Sequence, residues 1–417
     1  MDANQSLENR NWLINFVPLW VAQLVSMLGS LLAQYAIIWW MTLSSGSASV
    51  MAISTLFGML PGALLGPFAG TLVDRFHRKR IMILSDGGIA LMVVVLIVLF
   101  RLDIVQYWHV YILMAVRSVG GTLHGAALNA SISLMVPEKQ LTRIAGLNQT
   151  VMGIMGIIAA PIAAVLIANP TLDFANIIAI DVITAAIAIL SIALVIIPRP
   201  EKSDTALTMR VFLQETREAF PYVWQWKGLR NLFLVMAAFS FFFMPLNALE
   251  SLFVVQDLQQ DMTVFSVIES VFGVGFMLGG ILLSIWGGFQ RKSYTILLSM
   301  LGVGAGLLLQ AMASGQAWWM AVAGVGVCGL LLPMMNGPVY AIVQARVASG
   351  MQGRIFALQG SLNNLVSGLA LVLLGIVSTG NSVRMILLLT SAGIMLTAIM
   401  GLLNTPLRHI EANRRAD

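Results

Sequence analysis

Residues 70–80 read GTLVDRFHRKR, in which one acid is followed by four basic residues and a histidine, all pressed between two long apolar runs. Upstream, Gly58, Gly62, Gly66 and Gly70 recur every four residues, a spacing that lines one face of a helix. Downstream, IMILSDGGIALMVVVLIVLF runs from Ile81 to Phe100 with Asp86 as its only charge. About 20 apolar residues cross a hydrocarbon core of about 30 Å. The passage therefore reads as helix, short charged loop, helix, with the loop at a membrane face. The glycine stripe predicts close helix packing and leaves room for sliding.

The whole chain fits this reading. Of 417 residues, 59% are hydrophobic and 10% charged, where a soluble domain carries about 25% charged. One cysteine, Cys328, allows no disulfide within the chain, and no run of five basic residues accompanies the net charge of +5, so nucleic acid is not an expected partner. There is no Gly-Lys pair for a Walker A loop and no G-x-S-x-G elbow. Neither an enzyme nor a cofactor is expected. Apolar runs predict an all-α membrane protein with helices over 14–43, 49–73, 80–101, 105–136, 141–168, 172–197, 229–256, 263–289, 293–313, 316–345, 354–378 and 382–407. With the N-terminus cytoplasmic, twenty of the 23 Lys/Arg fall inside, Arg101 and Arg384 fall outside, and Arg117 falls within a span. Cytoplasmic loops retain Lys and Arg, so both termini are expected in the cytoplasm. The first run is too long for a signal-peptide core and reads as a permanent helix. The polar break at 199–228 divides the chain into six-helix bundles at 1–198 and 229–417. It carries the amphipathic stretch MRVFLQETREAFPYVWQW, whose Trp224 and Trp226 suit an interface.

The halves repeat. Arg78-Lys79 and Arg291-Lys292 each follow a Gly-rich helix at an offset of 213 residues, which aligns Gly66 with Gly279, and LTRIAGLNQ around Arg143 matches QGRIFALQG around Arg354 at an offset of 211. Parallel repeats of this kind mark transporters that rock one half against the other around a central site.

Arg117 lies about 18 Å into the fourth helix at 1.5 Å per residue, and an ionisable group at that depth is a functional candidate by default. Asp181, about 14 Å in, is a possible partner. Glu250 and Glu269, each about 9 Å from the outer ends of consecutive helices, can face each other. Two close carboxylates cannot both stay ionised cheaply, so such a pair can take up and release a proton. Gln23, Ser26, Ser30 and Gln34 form one stripe on the first helix, and Asn336, Tyr340 and Gln344 form another on the tenth. With Phe241, Phe242, Met244, Asn247 and Glu250 of FSFFFMPLNALE they can line a cavity for a bulky, weakly polar, cationic small molecule. His124 reads as a core or cavity histidine, because no cluster with metal-ligand spacing surrounds it. Asp86, near the charged loop, is expected to pair with a base among Arg75 to Arg80.

Gly70, Asp74, Arg75, Arg78 and Lys79 match the loop signature of the major facilitator superfamily. The stretches AIIWWMT, GSASVMA, RSVGGTLHGAALNA, VPEKQLTRIAG, NIIAIDV and MPLNAL resemble its macrolide-efflux branch of bacterial drug:proton antiporters. The resemblance implies twelve helices in two bundles, a bacterial inner-membrane location, and proton-driven export of macrolide-like compounds; a monomer in the lipid bilayer is expected. It implies that Asp74, Arg75 and Arg78, with Asp86 nearby, act as an inside latch, and that Arg117 with Gly121 serves proton transfer. The second copy departs from the pattern, with Gly287 where Asp74 would align, and Gly153, Gly156 and Pro161 loosely match an antiporter motif. Siderophore or metabolite export within the superfamily is the rival reading, with a non-transporting receptor behind it.

Overall fold

A computed structural model describes residues 3–195, 220–347, 349–377 and 382–410, and within these the chain forms helices and short connections. The long helices are α1 (Ala3–Ser45), α2 (Ala48–Arg75), α3 (Arg78–Arg101), α4 (Tyr107–Met135), α5 (Glu138–Ala168), α6 (Phe174–Leu194), α7 (Lys227–Leu252), α8 (Met262–Trp286), α9 (Lys292–Ala311), α10 (Trp319–Arg346), α11 (Ser349–Val377) and α12 (Val383–Leu403). A π-helical turn, Phe253–Asp257, continues α7, and a single turn, α13 (Thr405–Arg408), follows α12. Among the described residues, eleven helices are long and apolar enough to cross a membrane. α4 matches them in length, but Arg117, Ser118, Thr122, His124 and Asn129 dilute its apolar character. The part of the expected linker before Phe220 lies outside the described residues. Of its two tryptophans, Trp224 is half exposed and stacks on Phe220, with Arg230 above its ring. Trp226 corrects the interfacial expectation, because it is buried at the start of α7.

Local chemistry sets the helix ends. Asp173 accepts the Asn176 N–H at 2.9 Å to start α6, and Asp261 accepts those of Thr263 and Val264 to start α8. α8 ends on Gly287 at φ +74°, followed by Gly288 at φ +82°, a left-handed backbone that glycine alone adopts without strain. α2 instead runs on through Asp74 to Arg75. The acid is missing from the second charged loop because the helix there stops earlier, on a turn that needs glycine.

The chain forms two compact units. The first comprises Met1–Trp40, Phe57–Met155 and Ile162–Arg210, and the second Met41–Leu56, Gly156–Pro161 and Val211–Asp417. In the first, α3 packs on α4 and α6, and a core of Phe16, Leu19, Val73, Met82, Ile132 and Ile192 fills the end nearest the charged loop. α2 approaches α4 closely at Gly62, whose N–H donates to Ser118 Oγ at 2.9 Å and where a Cβ would lie 2.6 Å from Thr122 Oγ1. Gly58 makes only ordinary contact and Gly66 faces open space. Among the described stripe positions Gly58, Gly62 and Gly66, the close approach is at Gly62, as befits helices that cross at an angle. In the second unit, α9 packs on α10 and α12, α10 on α8, and α7 on α11 and α12. A Cβ on Gly275 would lie 2.7 Å from the Gly326 carbonyl and 3.0 Å from the Leu330 amide nitrogen, so the backbones of α8 and α10 touch there.

Gly275→Leu should therefore destabilise the purified protein by about 1–3 kcal/mol or more through overpacking. Gly280→Leu, on the same helix but with nothing within 4 Å, should leave the thermal unfolding midpoint nearly unchanged.

Candidate functional site

In the first unit three helices meet around one charge. Arg117 of α4 forms an ion pair with Asp181 of α6 through Nη2 and Oδ2, and Ser30 of α1 donates its hydroxyl to the other carboxylate oxygen at 2.7 Å. The guanidinium also donates to the Ser30 backbone carbonyl at 3.4 Å. The Asp181 side chain is 2% exposed and that of Arg117 13%, so each charge depends on the other. α1 comes near enough because residue 29 is glycine, where a Cβ would sit 3.0 Å from Thr184 Cβ. The expected partnership of Arg117 and Asp181 is present. Ser30, expected in a cavity-lining stripe, is instead engaged in holding the pair.

Farther along α4, His124 Nδ1 stands 2.8 Å from Asp86 Oδ1 of α3. The approach is off the ring's N–H direction, so this is a close polar contact rather than an aligned hydrogen bond. Asp86 was expected to meet a base of the charged loop, and that expectation is corrected: its partner is a histidine on the neighbouring helix. The reason is register, because α3 starts at Arg78 and turns Asp86 toward α4 two turns later.

Within the loop, Arg78 Nη1 donates to the Ala130 carbonyl of α4 at 2.5 Å, and Lys79 Nζ to the Ala193 and Val195 carbonyls at the end of α6 at 2.6 and 3.1 Å. These two bases tie α3 to both neighbours. The predicted latch positions Gly70, Asp74 and Arg75 lie outside the residues whose side chains are described. At the opposite end, Arg101 pairs with Asp173 at 2.6 Å and bonds Asn176, while Arg384 in the second unit meets Asp257 at 3.4 Å and the Ala313 carbonyl at 2.8 Å.

The second unit holds the acids. Glu250 of α7 and Glu269 of α8 line one cavity of about 50 Å³ with Phe243, Leu246, Asn247, Phe272, Leu307, Val325 and Cys328. It has room for a few waters and is far below the roughly 300–1,000 Å³ of a drug-sized site. Gln310 of α9, fully buried, donates to Glu250 Oε1 at 3.4 Å. The residues next to the acids are also tied. Ser251 Oγ accepts from Thr42 Oγ1 at 2.8 Å, and Ser270 Oγ donates to the Ile157 carbonyl at 2.9 Å. Gln310, Ser251 and Thr42 were not anticipated. The one signal available was a polar side chain inside an otherwise apolar run.

The other predicted lining residues are distributed more loosely. Gln23 has a buried amide nitrogen without a hydrogen-bond partner, Ser26 is partly buried, and Gln34 is exposed. Phe241 and Phe242 form an edge-on pair, Met244 is partly buried, and Asn247 is exposed toward the acid cavity. Asn336 is partly buried, and Tyr340, 56% exposed, lies against the Phe356 ring with centroids 5.2 Å apart. Among the described residues no cluster of three metal-ligating side chains occurs.

Among the described residues, eleven apolar helices with buried polar groups at their junctions mark a multi-pass membrane protein. The sequence profile described as transmembrane secretion effector matches residues 13–417. The chain belongs to this family, within the major facilitator superfamily. Macrolide efflux protein A of Streptococcus pyogenes is 36% identical over 364 residues, 87% of this chain and 89% of its own length. The protein of that name from Enterococcus faecalis is 36% identical over 327 residues, 78% of this chain and all of its own. Among solved structures, the nucleoside transporter NupG superposes with a TM-score of 0.73 at 13% identity over 93% of this chain and 98% of its own, which establishes the shared fold. The protein is a bacterial multi-pass membrane transporter that acts on small molecules.

Asp181→Ala should cost about 3–5 kcal/mol by leaving Arg117 buried and uncompensated, whereas Asp181→Leu combined with Arg117→Met should recover most of that loss. Thermal unfolding of the purified variants measures both, and equal destabilisation by the single and double changes would show that the pair is not the source.

Proposed function

We propose that this protein exports bulky amphiphilic compounds, macrolides among them, in exchange for protons. The observation that carries the reading is the enclosure of Glu250 and Glu269 in one small cavity of the second unit, in a chain 36% identical to macrolide efflux proteins. The cavity suits protons and water, not the drug. Two carboxylates held this close repel when both are ionised, and a proton bound by either relieves the repulsion. The change in charge then falls one residue from the Ser251–Thr42 and Ser270–Ile157 bonds. Those bonds, within the second unit, tie α7 and α8 to its segments 41–56 and 156–161, which come from the first half of the sequence. Protonation can thereby bias the segments that must part for alternating access.

In this reading Arg117 and Asp181 form the counterpart charge centre of the first unit. Asp74, Arg75 and Arg78 latch the inner ends of the helices. Gln23, Ser26, Phe241, Met244, Asn247, Asn336 and Tyr340 contact the drug. The topology follows the distribution of bases: twelve crossings including α4, bundles at 1–198 and 229–417, both termini in the cytoplasm, and a monomer in the inner membrane.

The test is drug movement in proteoliposomes of pure protein under an imposed pH gradient. Wild type should drive macrolide movement against the proton flow. Glu250→Gln and Glu269→Gln should each lose tenfold or more of the gradient-driven rate while keeping drug binding, and Arg117→Ala should lose both. Wild-type behaviour of all three variants would remove the site assignment. Movement of siderophores or metabolites in place of macrolides would change the substrate and keep the fold.

A further inference from the structure

The first unit carries a second concave surface that the transport reading leaves unused. Between the end of α2, the first three turns of α3 and the middle of α4 lies a groove of about 940 Å³. Leu72, Phe76, Ile81, Leu84, Val116 and Leu123 make its walls. Its floor is open at Gly88, where nothing lies within 4 Å of a Cβ position. Its length along α3, from Arg80 to Gly88, is about 12 Å at 1.5 Å per residue. That is close to the ~15 Å depth of one leaflet in a core of about 30 Å.

The groove is not uniformly apolar. His77 and Arg80 stand at its mouth, at the membrane-face end. The neighbouring bases of the same run are consumed elsewhere, Arg78 on the Ala130 carbonyl and Lys79 on those of Ala193 and Val195. Arg80 and His77 are exposed, and their side chains make no hydrogen bond or ion pair among the described residues. Phe76, 61% exposed, and Leu84, 73% exposed, leave the walls unfilled by the protein. A guanidinium and an imidazole above an apolar slot one leaflet deep complement a molecule with an anionic head and a hydrocarbon tail.

We propose that this groove holds one anionic phospholipid of the leaflet on the charged-loop side, with its phosphate on Arg80 and His77 and an acyl chain running along Leu84 and Gly88 toward the middle of α4. On the topology proposed above this is the cytoplasmic leaflet, whose anionic lipids attract basic residues near the surface. A lipid seated there would brace the end of α3 beside the latch residues. Binding itself requires neither proton coupling nor a particular drug, so its test stands apart from the transport assay.

The experiment is native mass spectrometry of the intact protein in detergent, titrated with phosphatidylglycerol or with phosphatidylcholine. Wild type should retain one phosphatidylglycerol at least fivefold more strongly than phosphatidylcholine. Arg80→Gln with His77→Gln should erase that preference while weak binding of both lipids persists. Gly88→Leu should reduce retention of both lipids at least fivefold. The site has open space for the added side chain and leucine favours helix, so unchanged thermal unfolding is expected and confirms that the fold is intact. Inorganic phosphate or a tail-less glycerophosphoglycerol in excess should not displace the lipid. A preference for phosphatidylglycerol that persists unchanged in the His77/Arg80 variant, full retention in Gly88→Leu, displacement by free phosphate, or displacement of the lipid by a macrolide would each overturn the proposal.

Discussion

A charge placed in hydrocarbon must bring its own polar partner, and much of the first unit is organised by that demand. Arg117 on α4 finds Asp181 on α6, and both carboxylate oxygens are engaged once Ser30 of α1 donates to the second. Three helices are thereby pinned at one level by groups too costly to separate. The small residues nearby follow from the same constraint. Gly29 lets α1 reach α6, and Gly62 lets α2 reach α4 one residue from Arg117.

The second unit handles its intramembrane charges differently. Glu250 and Glu269 share an enclosed space with mostly apolar walls, softened by the Gln310 amide. Close backbone packing of α8 and α10 at Gly275 shapes that space. An ion pair is a fixed element, because both charges are satisfied together. Two acids sharing a cavity form a responsive one, because the favourable arrangement depends on how many protons are present. The two halves thus hold their intramembrane charges in different ways, one as an ion pair and the other as two acids in one cavity.

The charged loop also divides its labour. Lys79 binds the Ala193 and Val195 carbonyls, which the end of α6 leaves without helical partners, and Arg78 binds the Ala130 carbonyl inside the last turns of α4. His77 and Arg80 face outward to a groove. The second copy of the loop gives up its acid because α8 stops on the left-handed Gly287. A difference in helix length therefore accounts for a difference that looks, in sequence, like the loss of a functional residue.

What the sequence determined by itself was whatever depends on composition and one-dimensional spacing. The length and apolarity of the runs dictated membrane helices, and GTLVDRFHRKR with its distant echo at Arg291 pointed to a duplicated transporter fold. Glu250 and Glu269, expected to face each other from consecutive helices, line one cavity. Partner choice was decided only by the tertiary structure, because it depends on helix register and rotation, which spacing along one helix does not reveal. So Asp86 turned to His124 instead of a loop base, Ser30 joined an ion pair instead of a cavity wall, and Trp226 went into the core instead of the interface. Gln310 and Thr42 became visible as parts of the site only when the fold brought them beside Glu250 and Ser251. A polar side chain in an apolar run must find a partner in hydrocarbon, but the sequence does not say which helix will present it.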